Sequence, residues 1–220
     1  MIPKELLRKK KLSVSDLERI SLSEGGHNDR SSGVCAMEAA AWLAGRTHSD
    51  SPVCVSRVIT AFMRSWNDSL REDEDRNRLL RPLLPMILGT VSDDAMEIRR
   101  GWMAIDWLTR TMAPAFLDLS PGLYGYAASL RSLPEVTPES WTVAKKTIAA
   151  ARDAAWDAAG AAAGAAAGDA AGAAAGDAAR LLPVVRHLQA SAGELVRRMA
   201  SNSVNGHRRV HTLKTIRVTR

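Results

Sequence analysis

Residues 159–179 read AGAAAGAAAGDAAGAAAGDAA, a four-residue unit repeated with glycine at every fourth position. An α-helix turns by about 100° per residue, so the glycines of successive units form a stripe that winds slowly around the axis. Each glycine costs about 1 kcal/mol relative to alanine in an exposed helix. Closely packed helices use such small side chains where two backbones approach. The repeat therefore predicts a helix-packing interface made of Gly160, Gly164, Gly168, Gly172 and Gly176.

A long helix over 138–180 is predicted from this repeat. The pair Thr137-Pro138 precedes it and resembles a helix cap followed by proline, and Pro183 is expected to end or bend it. A low-complexity linker with a fraying helix is the alternative. The predicted regions are 1–136, a tryptophan-containing helical body; 137–200, the Ala/Gly-rich long helix and a following amphipathic helix, packed on the body; and 201–220, a basic tail.

Helix start and stop signals recur along the rest of the chain, whereas strand signals are nearly absent. Ser32 is predicted to cap a helix that ends at Gly45, and Gly89 to end a later helical segment. Pro114 is predicted to close a third helix. We therefore predict an all-α fold, a multi-helix bundle with the long Ala/Gly-rich helix packed against the body and with basic termini.

Positive charge is concentrated at the two ends of the chain. Residues 1–11 carry five basic residues and one glutamate, and residues 201–220 carry five basic residues and no acid. Because the whole chain has a formal charge of +6, the region between the ends is acidic. Basic ends suit phosphate contacts with nucleic acid, but solvated tails would have the same composition. The predicted nucleic-acid contacts are Lys9, Lys10, Lys11, Arg208, Arg209, Lys214, Arg217 and Arg220.

Reactive residue types are densest between positions 35 and 54. Cys35, His48 and Cys54, with Glu38 or Asp50, include the ligand types that zinc prefers, but their spacing matches no known zinc motif, so we assign neither a metal nor a cofactor. Cys35 as a nucleophile, with His48 as its base and Asp50 orienting the imidazole, is a second interpretation. Two buried thiols in neighbouring helices are a third.

The segments 33–90 and 99–119, which contain GVCAMEAAAWLAG and RRGWMAIDWLTRTMAPAFLDL, resemble a helical protein family of actinobacteria and their phages. With the alanine repeat, the resemblance covers roughly residues 15–200. The family has no established activity, so the resemblance implies a cytosolic bacterial or phage setting and assigns no role to any residue.

Two classes of function follow from these patterns. The first is a non-catalytic binding protein whose basic ends contact nucleic acid or a ribonucleoprotein. The second is a structural or regulatory partner, for another protein or a second copy, with the glycine stripe as its interface. An enzyme or metal protein centred on Cys35 is the third alternative. We expect a cytoplasmic protein without a signal peptide or a membrane partner, because no apolar run is long enough and free of charge.

Overall fold

The part of the chain that the structure describes is predominantly helical. The computed structural model describes residues 2–166 and 181–201, and gives the side chains of residues 2–158 and 181–201. No strand occurs within these ranges, and the predicted all-α class is confirmed. The α-helices are α1 (Lys4–Leu7), α2 (Val14–Leu17), α3 (Ala36–Leu43), α4 (Arg57–Ser69), α5 (Asp73–Leu79), α6 (Leu84–Ile87), α7 (Asp94–Trp107), α8 (Ala113–Leu117), α9 (Tyr124–Arg131), α10 (Trp141–Ala166) and α11 (181–201).

The chain divides into two compact units. Unit 1 comprises Met1–Arg100 and Val196–Arg220, and unit 2 comprises Gly101–Leu195. Both boundaries between the units fall inside helices, α7 and α11. None of the helices seen over 2–166 and 181–201 combines the length and apolarity that crossing a bilayer requires.

Helix α3 forms the centre of unit 1. All eight of its residues are buried, and it packs against α4 and α6. Three consecutive alanines, Ala39–Ala41, let neighbouring elements approach closely, and Trp42 is completely buried beside them. Gly45, directly beyond the helix, has φ +67°, a conformation that glycine adopts without the strain a side chain would cause. The predicted end of this helix is confirmed.

Asparagine side chains from α4 and α5 fix the loop that leads into α3. The Asn67 amide group donates to the Ser23 carbonyl over 3.1 Å, and the Asn67 Oδ1 accepts from the Ala36 N–H over 3.2 Å. A second amide, Asn77, accepts from the Leu22 N–H over 2.9 Å. Each contact gives a partner to a backbone group with little access to water, so two asparagines set the path of the loop.

Unit 2 is built around α8, α9 and the first part of α10. Its core consists of Leu117, Leu123, Ala127, Leu130, Leu133, Val136, Ala144 and Ala151. Trp102 and Trp141 meet edge to face, with ring centroids 5.8 Å apart. Within the described part of α10, the residues that pack against this core are therefore mostly alanine, with one isoleucine. The core residues that they meet are mostly leucine.

The prediction that Pro114 closes its helix is wrong. The helical path continues from α7 through one widened turn, Leu108–Met112, into α8. In this turn the Ala113 N–H donates to the Leu108 carbonyl, five residues back. Proline has no N–H and its ring collides with a carbonyl of the preceding turn, and a π-type turn relieves that collision while keeping the helix going.

The predicted long helix over 138–180 falls partly outside the described residues. Helix α10 covers Trp141–Ala166, 26 residues, and the Ser140 carbonyl accepts the Ala144 N–H at its start over 3.1 Å. Gly160 and Gly164 lie in α10, beyond the last described side chain of that helix. Gly168, Gly172 and Gly176 lie outside the described residues, and the predicted glycine interface stays a prediction.

Candidate nucleic-acid interface

The basic N-terminal segment, which includes the exposed residues 8–11, packs against the C-terminal end of α3. Leu6 and Leu12 are buried, and they flank the exposed residues 8–11. The Trp42 indole Nε1–H donates to the Lys9 carbonyl over 2.9 Å, and the Leu12 N–H donates to the Trp42 carbonyl over 3.3 Å. Two backbone contacts to one tryptophan hold the lysines at a defined place on unit 1.

Arg30 joins this segment to Arg46, which comes directly after Gly45. Its guanidinium donates to the Lys9 carbonyl and to the Arg46 carbonyl, each over 3.2 Å. The same guanidinium lies over the Trp42 ring, 4.6 Å from its centroid, in a cation–π arrangement. Residues that are distant in sequence, Lys9, Arg30 and Arg46, are therefore neighbours in the fold.

Lys11 lies across the glycine that ends α3. A Cβ placed on Gly45 would come within 3.3–3.4 Å of three carbons of the Lys11 side chain. The aliphatic part of Lys11 therefore packs on the backbone there, while the residue as a whole remains exposed. Lysine commonly covers a surface with its methylenes and keeps its ammonium in water.

Of the three predicted lysine contacts that the structure describes, Lys9 is the one with an ionic partner among the described residues. Its Nζ is 2.8 Å from both carboxylate oxygens of Asp16, which is buried. Hydrogen bonds from Lys9, and then from the Ser13 N–H and hydroxyl, hold the pKa of Asp16 well below its usual range. The Lys9–Asp16 pair therefore fastens α2 to the N-terminal segment and is not available to a ligand in the way an unpaired lysine would be.

We define the basic surface as Arg8, Lys9, Lys10, Lys11, Arg30 and Arg46. Lys10, Lys11 and Arg46 are exposed, and within the described ranges no carboxylate forms an ion pair with any of them. The sequence indicated the lysines but not Arg30 or Arg46, because only the tertiary contact of Arg30 brings them together. The predicted contacts Arg208, Arg209, Lys214, Arg217 and Arg220 lie outside the described residues.

A second polar cluster lies at the N-terminal end of α3, around the buried carboxylate of Glu38. The backbone N–H groups of His27 and Cys35 donate to it over 2.7 and 2.8 Å. The His27 Nδ1 is 2.8 Å from its Oε2, and the His48 Nε2 is 3.5 Å from its Oε1. Burial by itself would raise the pKa of Glu38, but the two backbone donors and His27 outweigh it, and the pKa lies below its ordinary value of 4.5. Glu38 is therefore ionised at neutral pH.

The contacts of the two histidines follow from that negative charge. His27 donates its Nδ1–H to the carboxylate, and its Nε2 lies 3.0 Å from the Ser23 hydroxyl oxygen, with which it shares a hydrogen bond. The His48 Nε2–H donates to the His27 carbonyl over 2.9 Å. Gly33 lies against the His27 ring, since a Cβ there would come within 2.5 Å of it. The cluster thus closes the loop 23–33, which carries Arg30, against α3.

The structure does not assemble the catalytic or metal sites considered for Cys35. Its Sγ accepts from the Glu38 N–H as the helix cap, and Asp50 pairs with Arg64 at 3.0 Å instead of orienting His48. Burial raises the pKa of the Cys35 thiol to about 12. Within 2–158 and 181–201 no group of three or more His, Cys, Asp or Glu side chains is arranged to hold a metal ion. The arrangement fits a structural role for Cys35, His48 and Glu38.

The two thiols are expected to react at very different rates. Cys35 is 4% exposed with a raised pKa, whereas Cys54 is half-buried. In the native protein at pH 7.5, a disulfide reagent should modify Cys35 at least about 100-fold more slowly than Cys54. The Cys54→Ser and Cys35→Ser variants separate the two rates. Fast labelling of Cys35 in the Cys54→Ser variant would contradict the structural role and restore the nucleophile interpretation.

No protein-family model, curated protein or solved structure matches this chain. The geometry of the basic surface and of the Glu38 cluster is therefore the basis for any functional conclusion.

Proposed function

We propose that the protein is a non-catalytic binding protein of a bacterium or phage that contacts nucleic acid, free or in a ribonucleoprotein, through its basic ends. The basic surface is one part of that contact, and the basic residues of 201–220 are the other. The main support for this proposal is the exposure of Lys10, Lys11 and Arg46 around the Arg30–Trp42 contact.

Helix electrostatics accounts for only part of this charge. Cations near a helix C-terminus typically stabilise it by about 0.3–1 kcal/mol. Arg30 serves in this way, because both of its hydrogen bonds go to carbonyls at the end of α3 and in the neighbouring segment. Lys9 is similarly occupied by Asp16. The methylenes of Lys11 pack on Gly45, but within the described ranges no carboxylate pairs with the charged groups of Lys10, Lys11 and Arg46. Three exposed cations without an ionic partner there, on a chain with an acidic middle, favour a polyanionic ligand.

The placement of the lysines on a fixed backbone also supports binding. The segment is held at Leu6, Leu12 and Trp42, so only the lysine side chains lose freedom when a phosphate is bound. Ligand binding costs less when the protein groups are already in position. Each phosphate contact with duplex DNA releases counterions, so binding should weaken steeply with added salt.

The decisive experiment compares two double-lysine variants that change the net charge equally. Lys10→Ala/Lys11→Ala removes the proposed contacts, and Lys145→Ala/Lys146→Ala removes an exposed pair from α10 in unit 2. Fluorescence anisotropy with labelled 20-base-pair DNA is measured between 50 and 200 mM NaCl. The first variant should bind at least about tenfold more weakly at 50 mM and lower the salt slope by about 1.8, and the second should change little.

Other outcomes would overturn the proposal. Equal losses in the two variants would show that net charge alone matters and that the basic surface is not the contact. Absence of binding to DNA and to duplex RNA at 50 mM NaCl would rule out nucleic acid as a ligand. Binding to vesicles containing phosphatidylglycerol in place of nucleic acid would show that the polyanion is a lipid surface.

A further inference from the structure

The Trp and Phe side chains of unit 1 are buried or half-buried. Its sequence ranges contain three aromatic residues, Trp42, Phe62 and Trp66, and none of them lies in 196–220. Trp42 is completely buried and Trp66 is 8% exposed. Phe62 is half-buried and meets Trp66 edge to face, with ring centroids 6.1 Å apart. Among the described residues of unit 1, no Trp, Phe or Tyr ring is therefore fully exposed.

Trp42, the aromatic residue nearest the basic surface, already has partners both on its ring face and at its indole N–H. One of its faces carries the Arg30 guanidinium, and its indole N–H donates to the Lys9 carbonyl. A nucleobase could stack there only by displacing Arg30, which would also break two hydrogen bonds to carbonyls. Arg30 is likewise not free to form the two parallel hydrogen bonds by which arginine reads guanine.

These observations help to distinguish between single-stranded and double-stranded nucleic acid as the ligand of the basic surface. Proteins that hold single strands combine a basic groove with aromatic rings on which successive bases stack, and most of their preference for single strands comes from that stacking. A surface that offers cations without an exposed aromatic ring makes its main contacts with the phosphates. Duplex nucleic acid carries one charge per about 1.7 Å of axis, against about 3.4 Å for each strand, so it is the better partner for such a surface.

We infer that the ligand of the basic surface is double-stranded nucleic acid, bound through its phosphates and without preference for base sequence. This inference rests on the proposed function and narrows it to one form of nucleic acid.

The test uses the full chain and fluorescently labelled 20-mers in 50 mM NaCl. The probes are two DNA duplexes of unrelated sequence, their separate strands, and one RNA duplex. The two DNA duplexes should bind within about twofold of each other, and each single strand at least about fivefold more weakly. The RNA duplex distinguishes the two backbones: tighter binding identifies RNA as the duplex concerned, and weaker binding identifies DNA.

A tryptophan variant shows whether stacking contributes from elsewhere. The exposed aromatic residues of the described ranges all lie in unit 2, and Trp156 is the most exposed, at 80%. Trp156→Ala should leave the duplex affinity unchanged. Single strands that bind as tightly as duplex, a loss of affinity in Trp156→Ala, or a more than tenfold preference between the two sequences would each overturn the inference while leaving nucleic-acid binding in place. Absence of binding to every probe would overturn the proposed function itself.

Discussion

Replacing Arg100 by methionine is expected to lower the free energy of unfolding by about 3–5 kcal/mol, the cost of leaving a buried charge without its partner. Arg100 is fully buried, and its guanidinium donates to the Glu97 carboxylate over 2.8 Å. It also donates to the Thr90 carbonyl over 2.9 Å and to the Met199 carbonyl over 3.2 Å. Methionine fills a similar volume, so the loss reports the charge and its hydrogen bonds rather than a cavity.

The carboxylate left behind is the reason for the size of this effect. Burial alone would raise the pKa of Glu97, but donors from Val58, Ser56, Ser92 and Arg100 bring it below its ordinary value. Without Arg100, the Glu97 charge would remain 7% exposed with only neutral donors. Urea unfolding followed by circular dichroism measures the loss.

Two controls distinguish this effect from a general sensitivity of α7. Arg99→Met changes the adjacent, exposed arginine and should alter stability by less than about 0.5 kcal/mol. The double variant Glu97→Met/Arg100→Met should recover part of the loss, because it removes both charges together. Hydrogen exchange should also accelerate at amides 196–201 in Arg100→Met, since the Met199 carbonyl loses a donor. A loss equal in Arg99→Met and Arg100→Met would contradict the role of the buried pair.

Glu38→Ala is expected to destabilise the protein by about 3 kcal/mol, because two buried backbone N–H groups and the His27 Nδ1–H lose their acceptor together. Glu38→Gln should cost less, about 2 kcal/mol, since its amide oxygen still accepts but its NH₂ faces a donor. Urea unfolding at pH 7 measures both. Glu74→Gln, at an exposed glutamate on α5, is the matched control and should be nearly neutral.

The pH dependence of the Glu38→Gln effect has a definite sign. The pKa of Glu38 is lower in the folded protein than its ordinary value of 4.5, so the carboxylate contributes its full stabilisation above pH 4.5. That contribution is lost as the pH falls below 4.5 and through the folded pKa. The difference in stability between wild type and Glu38→Gln should therefore shrink as the pH falls below 4.5. A difference that grows as the pH falls below 4.5 would contradict the lowered pKa of Glu38.

Local rules predicted the ends of helices better than their starts. Gly45 and Gly89 have φ of +67° and +74°, and both end helical segments as predicted. The start of α3 was expected at a serine, because serine is a strong helix cap. The structure instead uses Cys35, with Glu38 completing a capping box. Cysteine is a weak hydrogen-bond acceptor, so propensity gave no reason to expect it there; burial of the whole helix selects a small apolar residue at that position.

The sequence alone predicts only some of the residues of the basic surface. A run of lysines near one end is apparent from composition, and Lys10 and Lys11 are exposed as phosphate contacts require. Arg30 lies in a loop, and Arg46 lies just beyond the end of α3. Helical periodicity applies to neither position. Their placement depends on the closure of loop 23–33 by Glu38 and on the Trp42 ring. Such long-range contacts follow from the packed fold and leave no local pattern in the sequence.

The widened turn at Leu108–Met112 has a consequence for how this chain can change over evolutionary time. The turn holds one residue more than a regular helix would, and everything downstream is rotated by about a quarter of a revolution or slightly more. The proline and the additional residue are thus a matched pair: each is tolerable because the other is present. In descendants of this sequence, loss of the proline should be accompanied by a one-residue deletion just upstream, which would keep Leu117 of α8 directed into the same core.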